Sequence, residues 1–529
     1  MSLLNKATII TTPTAHSNGT LHSIKGGTVA DFDVVRGSAA TRVNAEGLIE
    51  DISVLSGELV TNGDFSNGTT SWTLGTGWSI SDGVANFLSN GNGSITQPNL
   101  YVIGKTYKIT FTISNYVEGY LRVLNLDNSN SHLVSGNGVY SFTDVATATS
   151  MALQGTFSPS NFSIDNISVV EVIDATNIPR IDYTTGEGVV LLEPQSTNLF
   201  PYSEDFSVSD WSKNRVTINS NQNISPNNKL NASKMIETAV SGNHQITKKA
   251  HSVNGSFTKS VFAKKGENNY LILGIWDGSS ETIAWFDLEN GLIGTVQGTS
   301  TQTIEKFGDY YRCSVTFDIS ASGGYELIGM SNTDGLRNYN GDGTSGVYIW
   351  GAQLEALSYP TSYIPTSGAI ATRLADKVTG AGDATTFNST EGVLYAEMSI
   401  DTTLGVGSDI TLIDSSNAAD FIRFTNDGAT NKVNMYFRYN GVSNFHTFIG
   451  DTTIFKKYAI QWGNGEVNYY VNGVLRETDF TTMPTLNVFD KLHFSQLGSS
   501  NRAFTGKVKS VITFNTALTD EELTCLTTI

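Results

Sequence analysis

Side chains of alternating character run through almost the whole chain, and that two-residue period decides what it can fold into. Tyr107, Ile109, Phe111 and Ile113 alternate with Lys108, Thr110 and Thr112. Val433, Met435, Phe437 and Tyr439 alternate with Asn434 and Arg438. Successive side chains of a strand point to opposite faces, so such runs build half-buried strands. Asn440-Gly441 follows the second run and leads into Phe445, Thr447 and Ile449; Val467, Tyr469 and Val471 run into Asn472-Gly473. Asn-Gly suits the positive-φ turns of hairpins. Strand, turn and strand at short intervals predict antiparallel sandwiches, not parallel sheets built from alternating strands and helices. The expected fold class is therefore all-β, a tandem of antiparallel β-sandwiches. One short helix is expected at the end, where Thr519-Asp-Glu-Glu522 has capping-box spacing with acids in the first turn.

Composition narrows the functions open to such a chain. Its 529 residues call for three or four cores at roughly 150 residues each. Hydrophobic residues make up 39%, enough for packed cores. The formal charge is −18 with no run of four basic residues, which disfavours nucleic acid as a partner. No apolar stretch approaches the ~20 residues of a membrane span, so no membrane insertion is expected. The first residues are too polar beyond Ile10 for a signal peptide, and synthesis into a cytoplasm is expected. Cys313 and Cys525 lie in different expected domains, which excludes a disulfide framework and predicts two free, largely buried thiols.

Two segments read as diverged copies of one unit. The first opens with Asn62-Gly-Asp-Phe-Ser66, continues through Trp72 and Trp78, and closes with Phe162-Ser-Ile-Asp165-Asn-Ile-Ser-Val. The second opens with Ser203-Glu-Asp-Phe-Ser207, continues through Trp211, and closes with Val347-Tyr-Ile-Trp350-Gly-Ala-Gln-Leu-Glu355. First and last strands that meet in one core fit a jelly roll. The expected organisation is an N-terminal region at 1–58, an inserted jelly roll at 59–173, a connector at 174–197, a second jelly roll at 198–365, a linker at 366–390 and a third sandwich at 391–529.

Several strings are familiar together. Arg36-Gly-Ser-Ala-Ala-Thr-Arg-Val-Asn-Ala-Glu-Gly47 is followed by Ile178-Pro-Arg-Ile-Asp-Tyr183 and Leu192-Glu-Pro-Gln-Ser-Thr-Asn-Leu199. Tyr348-Ile-Trp-Gly-Ala-Gln-Leu-Glu355, Thr361-Ser-Tyr-Ile-Pro-Thr366 and Thr372-Arg373 come after them. In this order they resemble the frame of tailed-bacteriophage virion proteins of the tail-fibre or head-fibre type. The resemblance implies a structural virion protein, assembled in the host cytoplasm. It implies attachment to other virion proteins through the N-terminal region, and a homotrimer. Glu391-Gly-Val-Leu-Tyr-Ala-Glu397, Tyr470-Val-Asn-Gly-Val-Leu475, Phe504-Thr-Gly-Lys-Val508 and Leu518-Thr-Asp-Glu-Glu-Leu523 resemble concanavalin-A-like, laminin-G-type sandwiches. The middle units are similar to jelly-roll carbohydrate-binding modules, which implies host-surface glycans as partners. It also implies a structural calcium between the edges of the first unit, at Asp64 and Asp165; in the second unit Trp350-Gly351 replaces the closing acid.

Sugars bind by stacking on aromatic rings while polar side chains take their hydroxyls. Trp276 and Trp285 bracket the loop string Asp277-Gly-Ser-Ser280, and Trp72 and Trp78 sit in a Gly/Thr-rich stretch; these four are the candidate sugar platforms. Trp350 and Trp462 alternate within strands and are expected in cores. No catalytic residues are expected. A glycosidase needs two carboxylates flanking the bond, and the nearest string, Glu397-Met-Ser-Ile-Asp401, lacks the middle acid of a laminarinase-like strand. The expected function is a non-enzymatic phage fibre or decoration protein displaying glycan-binding domains. The alternatives are a virion polysaccharide depolymerase and a bacterial surface adhesin.

Overall fold

The alternating runs pair as their period requires. The computed structural model describes residues 3–17, 19–126, 133–249, 255–319, 324–400, 408–426, 431–496 and 502–529; Asp401 lies outside them. The chain is all-β, with several antiparallel sheets forming sandwiches and one short helix near the C-terminus. It divides into two compact units, a larger one of Met1–Ile52, Thr176–Gln222 and Ala232–Ile529, and a smaller one of Ser53–Ala175 with Asn223–Asn231.

In the smaller unit two long strands, Thr106–Leu124 and Met151–Asp174, run antiparallel to each other. Gly138–Val145 adds to the first, and Val84–Ser89 and Gly93–Gln97 to the second. Their inward residues, among them Ile109, Phe111, Leu153 and Ile164, form one core with Phe65, Trp72, Trp78 and Phe87. The predicted alternation at 107–113 is real. Tyr107, Ile109, Phe111 and Ile113 are buried and the residues between them are not.

The larger unit holds two sandwiches. In one, two six-stranded sheets enclose a core containing Trp211, Phe257, Leu273, Phe286 and Ile349. In the other, a five-stranded sheet packs on an eleven-stranded one around Leu394, Ile422, Phe437, Trp462 and Val511. The N-terminal residues are part of this second sandwich. Ala7–Ser17 lies between Thr20–Ser23 and Gly506–Phe514, with Ile10 opposite Ile512 and Thr11 opposite Val511. Phe32–Val35 in turn pairs with Lys377–Thr379. The expected boundary at 58, which set these strands apart as a region of their own, therefore needs correcting. Nothing local in the sequence announces a strand partner some 500 residues away.

The helix, Asp520–Thr527, starts as its sequence dictates. Thr519 Oγ1 accepts from the Glu522 amide at 3.2 Å, and the Glu522 carboxylate accepts from the Thr519 amide at 3.1 Å. Its one fully buried apolar residue, Leu523, packs with Tyr395 and Tyr470. Both cysteines are free, but only Cys313 is buried; Cys525, on this helix, is exposed.

Candidate functional site

Three of the four candidate tryptophans are core residues. Trp72 is 7% exposed, its ring 5.3 Å from that of Phe65 and its indole N–H donating to the Asn62 carbonyl at 2.8 Å. Trp78 donates to the Gly93 carbonyl at 2.9 Å and packs on Phe87 and Phe162. Trp285 is fully buried and donates to the Leu336 carbonyl at 3.2 Å. A tryptophan whose faces are packed and whose N–H is satisfied has nothing left to offer a sugar. Trp276 is different. It is half-buried, its ring 5.5 Å from that of Tyr325. Beside this pair, Glu281 accepts from Arg337 at 2.7 Å and from the Tyr325 hydroxyl at 3.3 Å. The expected Trp276–Trp285 pair is thus split, because the segment at Leu336 covers the second ring.

The expected calcium edges do meet, since the Ile167 amide donates to the Gly63 carbonyl at 2.9 Å. The carboxylates, however, serve their own loops. Asp64 accepts from the Ser66 amide and hydroxyl, bonds that hold its carboxyl below the usual range. Asp165 accepts from the Asn166 amide at 2.6 Å and side chain at 3.2 Å. Calcium takes six to eight oxygens. Among the described residues no group of three or more His, Cys, Asp or Glu side chains is placed to hold a metal.

The strings that carry the fibre resemblance converge instead on one buried ionic cluster in the larger unit. Arg180 pairs with Glu193 at 2.6 Å and with Asp376; Arg36 pairs with Asp376 at 2.9 Å; Arg373 pairs with Glu193. Ser362 donates to Glu193 from its amide at 2.8 Å and its hydroxyl at 2.7 Å. Burial alone would raise the Glu193 carboxyl, but Arg373, Arg180 and Ser362 hold it far below the usual range. Asp376 is held down in the same way by Arg180, Arg36 and Arg373. Next to this cluster Glu355 accepts from Ser196, Gln353 and Thr361, and Asn198 uses both amide hydrogens and its oxygen on the backbone of 200, 352, 354 and 364. Motifs far apart in sequence are needed together because each supplies a partner that another would leave buried and unpaired.

The cluster backs a cleft of about 570 Å³, within the usual size of small-ligand sites. Phe262, Phe307, Tyr363 and Phe455 give it aromatic walls; Arg42, Thr184, Arg312, Ser399 and Lys507 add polar groups. Arg312 donates to the Thr361 carbonyl at 2.7 Å and lies over the Phe262 ring, while its buried Nε has no hydrogen-bond partner. Three carboxylates line the cleft, and two are engaged. Glu193 is locked as above, and Asp182 accepts from the amides of Val43 and Thr184, each at 3.0 Å, with Lys507 at 3.7 Å. Glu305 stands exposed on the outer strand Thr301–Phe307. Arg42, Asp182, Glu193 and Tyr363 lie within strings singled out from the sequence for their resemblance, but none of them was expected as a site residue. Phe307, Arg312 and Phe455 carry no such signal, being ordinary residues of strands and a loop.

No family model matches this chain, and no curated protein matches it in sequence. Comparison with solved structures finds weak similarity to several proteins. They include the CBM40 of Ruminococcus gnavus IT-sialidase bound to α2,3-sialyllactose, 16% identical over 28% of this chain and 93% of that one, TM-score 0.24. Domains LG4-5 of the mouse laminin α1 chain are 11% identical over 52% and 86%, TM-score 0.19. Trypanosoma rangeli sialidase is 10% identical over 93% and 97%, TM-score 0.22. The chain's own sheets make it an all-β multi-sandwich protein.

Proposed function

We propose that this chain is a non-enzymatic saccharide-binding protein displayed on a phage particle, as a tail or head fibre. The observation that carries the binding half is the cleft, where aromatic walls stand beside hydrogen-bonding groups and two of the three carboxylates are already engaged. Such a site can stack a sugar and hold its hydroxyls. It lacks the free pair of carboxyls, one protonated, that glycoside hydrolysis needs. The ordered motif series supports the virion half. Attachment would use the surface of the sandwich to which the N-terminal strands belong, not a detached arm.

Calorimetric titration of the full chain with host-envelope oligosaccharides tests the binding half. Binding should weaken several-fold in Phe307→Ala and in Phe455→Ala, each of which removes one stacking wall, and no new reducing ends should form. Failure to bind any envelope saccharide would overturn the reading. Release of reducing ends would replace it with a depolymerase.

A further inference from the structure

A second polar surface lies on the outer face of the five-stranded sheet and shares no residue with the cleft. Ile410, Ile422, Met435 and Leu492 of this sheet enter the core, so the residues next to them face outward. Pairing sets five of these in one row: His493 opposite Thr411, Thr411 opposite Arg423, Arg423 opposite Tyr436, and Tyr436 opposite Phe445. At about 4.8 Å between strands the row spans roughly 19 Å.

The row changes character along its length. At one end Phe445 is half exposed and stacks on Tyr436, centroids 5.1 Å apart and planes 25° apart. At the other end Thr411 Oγ1, Arg423 Nε and His493 Nε2 are buried and have no hydrogen-bond partner, although Thr411 is 1% and His493 8% exposed. Arg438, one row along, also leaves its Nε unpartnered. Native proteins leave few buried polar atoms unpaired, because each is costly. Four such atoms on one sheet face point to a ligand that supplies the missing partners. The charge of the face gives that ligand's sign. Arg423 and Arg502 share one carboxylate, Asp409, which Arg502 already holds at 2.9 Å; Arg438 lies over the Phe421 ring, and Asp490 stands near His493. This local excess of positive charge sits in a chain of net charge −18.

We propose that this face binds an acidic polysaccharide. A sugar ring stacks on Phe445 and Tyr436, its carboxylate or sulfate is taken by Arg423 and Arg438, and Thr411 and His493 meet its hydroxyls. Guanidinium groups bind planar anions through paired N–H donors. Burial and nearby Lys491 lower the His493 pKa against Asp490, which raises it, and the unpartnered Nε2 is left to meet a hydroxyl.

The test is calorimetric titration of the full chain with polygalacturonate, dextran sulfate, neutral dextran and a single-stranded oligonucleotide, at low and high salt. One or both acidic polysaccharides should bind, more weakly at high salt, and dextran should not bind here. Binding of polygalacturonate alone assigns a carboxylated sugar, and of dextran sulfate alone a sulfated one. Arg438→Gln and Phe445→Ala alter half-buried or exposed side chains, and each should weaken binding roughly tenfold or more with an unchanged melting temperature. Phe307→Ala in the cleft should leave this binding intact. The proposal is overturned if neither acidic polymer binds, if the oligonucleotide binds more tightly, or if acidic-polymer binding survives both face variants. None of these results bears on neutral-saccharide binding in the cleft.

Discussion

Glu193 shows how much of this molecule depends on single buried charges. It accepts from two arginines and from Ser362 inside the protein, so removing its charge leaves Arg180 with one acid partner and Arg373 with none. Breaking a buried pair in this way costs about 3–5 kcal/mol, and Glu193→Gln should lose that much in urea denaturation at neutral pH. The pH dependence follows from the direction of the shifts. Glu193 and Asp376 both have folded pKa values below their unfolded ones. Their contribution is complete above the unfolded values and is lost as pH falls toward the folded ones, so melting temperature should drop below about pH 5. Glu193→Gln should flatten that drop; an equally steep drop in the variant would show that other carboxyls cause it. The tryptophans give a second contrast. Trp285→Ala should cost about 3–5 kcal/mol because it empties a closed site, and Trp276→Ala less than half as much, read from denaturation midpoints. From the sequence these two residues looked alike, because a loop string between two strands does not reveal which ring a distant segment such as Leu336 will cover.

At the scale of elements the sequence was legible wherever the information is local. The alternation at 107–113, the Asn-Gly hairpin turns at 440–441 and 472–473, and the capping box at Thr519 all took the predicted form. Pairing between distant strands was not legible. Ala7–Ser17 carries a run of Ile and Thr that fits many partners, and only the fold shows that it fills a place between Thr20–Ser23 and Gly506–Phe514. The outward row His493–Thr411–Arg423–Tyr436–Phe445 was equally hidden, since register across four strands sets it. Deleting residues 7–17 should unpair both neighbours and uncover core residues such as Val511 and Leu394. The truncated chain should be insoluble or bind a hydrophobic dye strongly. A soluble, cooperatively melting product would mean that the N-terminal strand is dispensable.

For the molecule as a whole, the separate cores, the buried cluster that joins far-apart motifs, and the two candidate saccharide surfaces are the features on which the proposed recognition role rests. The fold alone does not choose between particle and cell as the place of display, because sandwiches of this type serve many functions. Our proposal of a particle rests on the ordered motif series, and it can be checked on the particle itself. Antibody raised against the purified chain, applied to intact gradient-purified phage particles and viewed by electron microscopy, should label the particle exterior at regular positions. Label absent from particles and present on uninfected cells would contradict the proposed role and favour an adhesin.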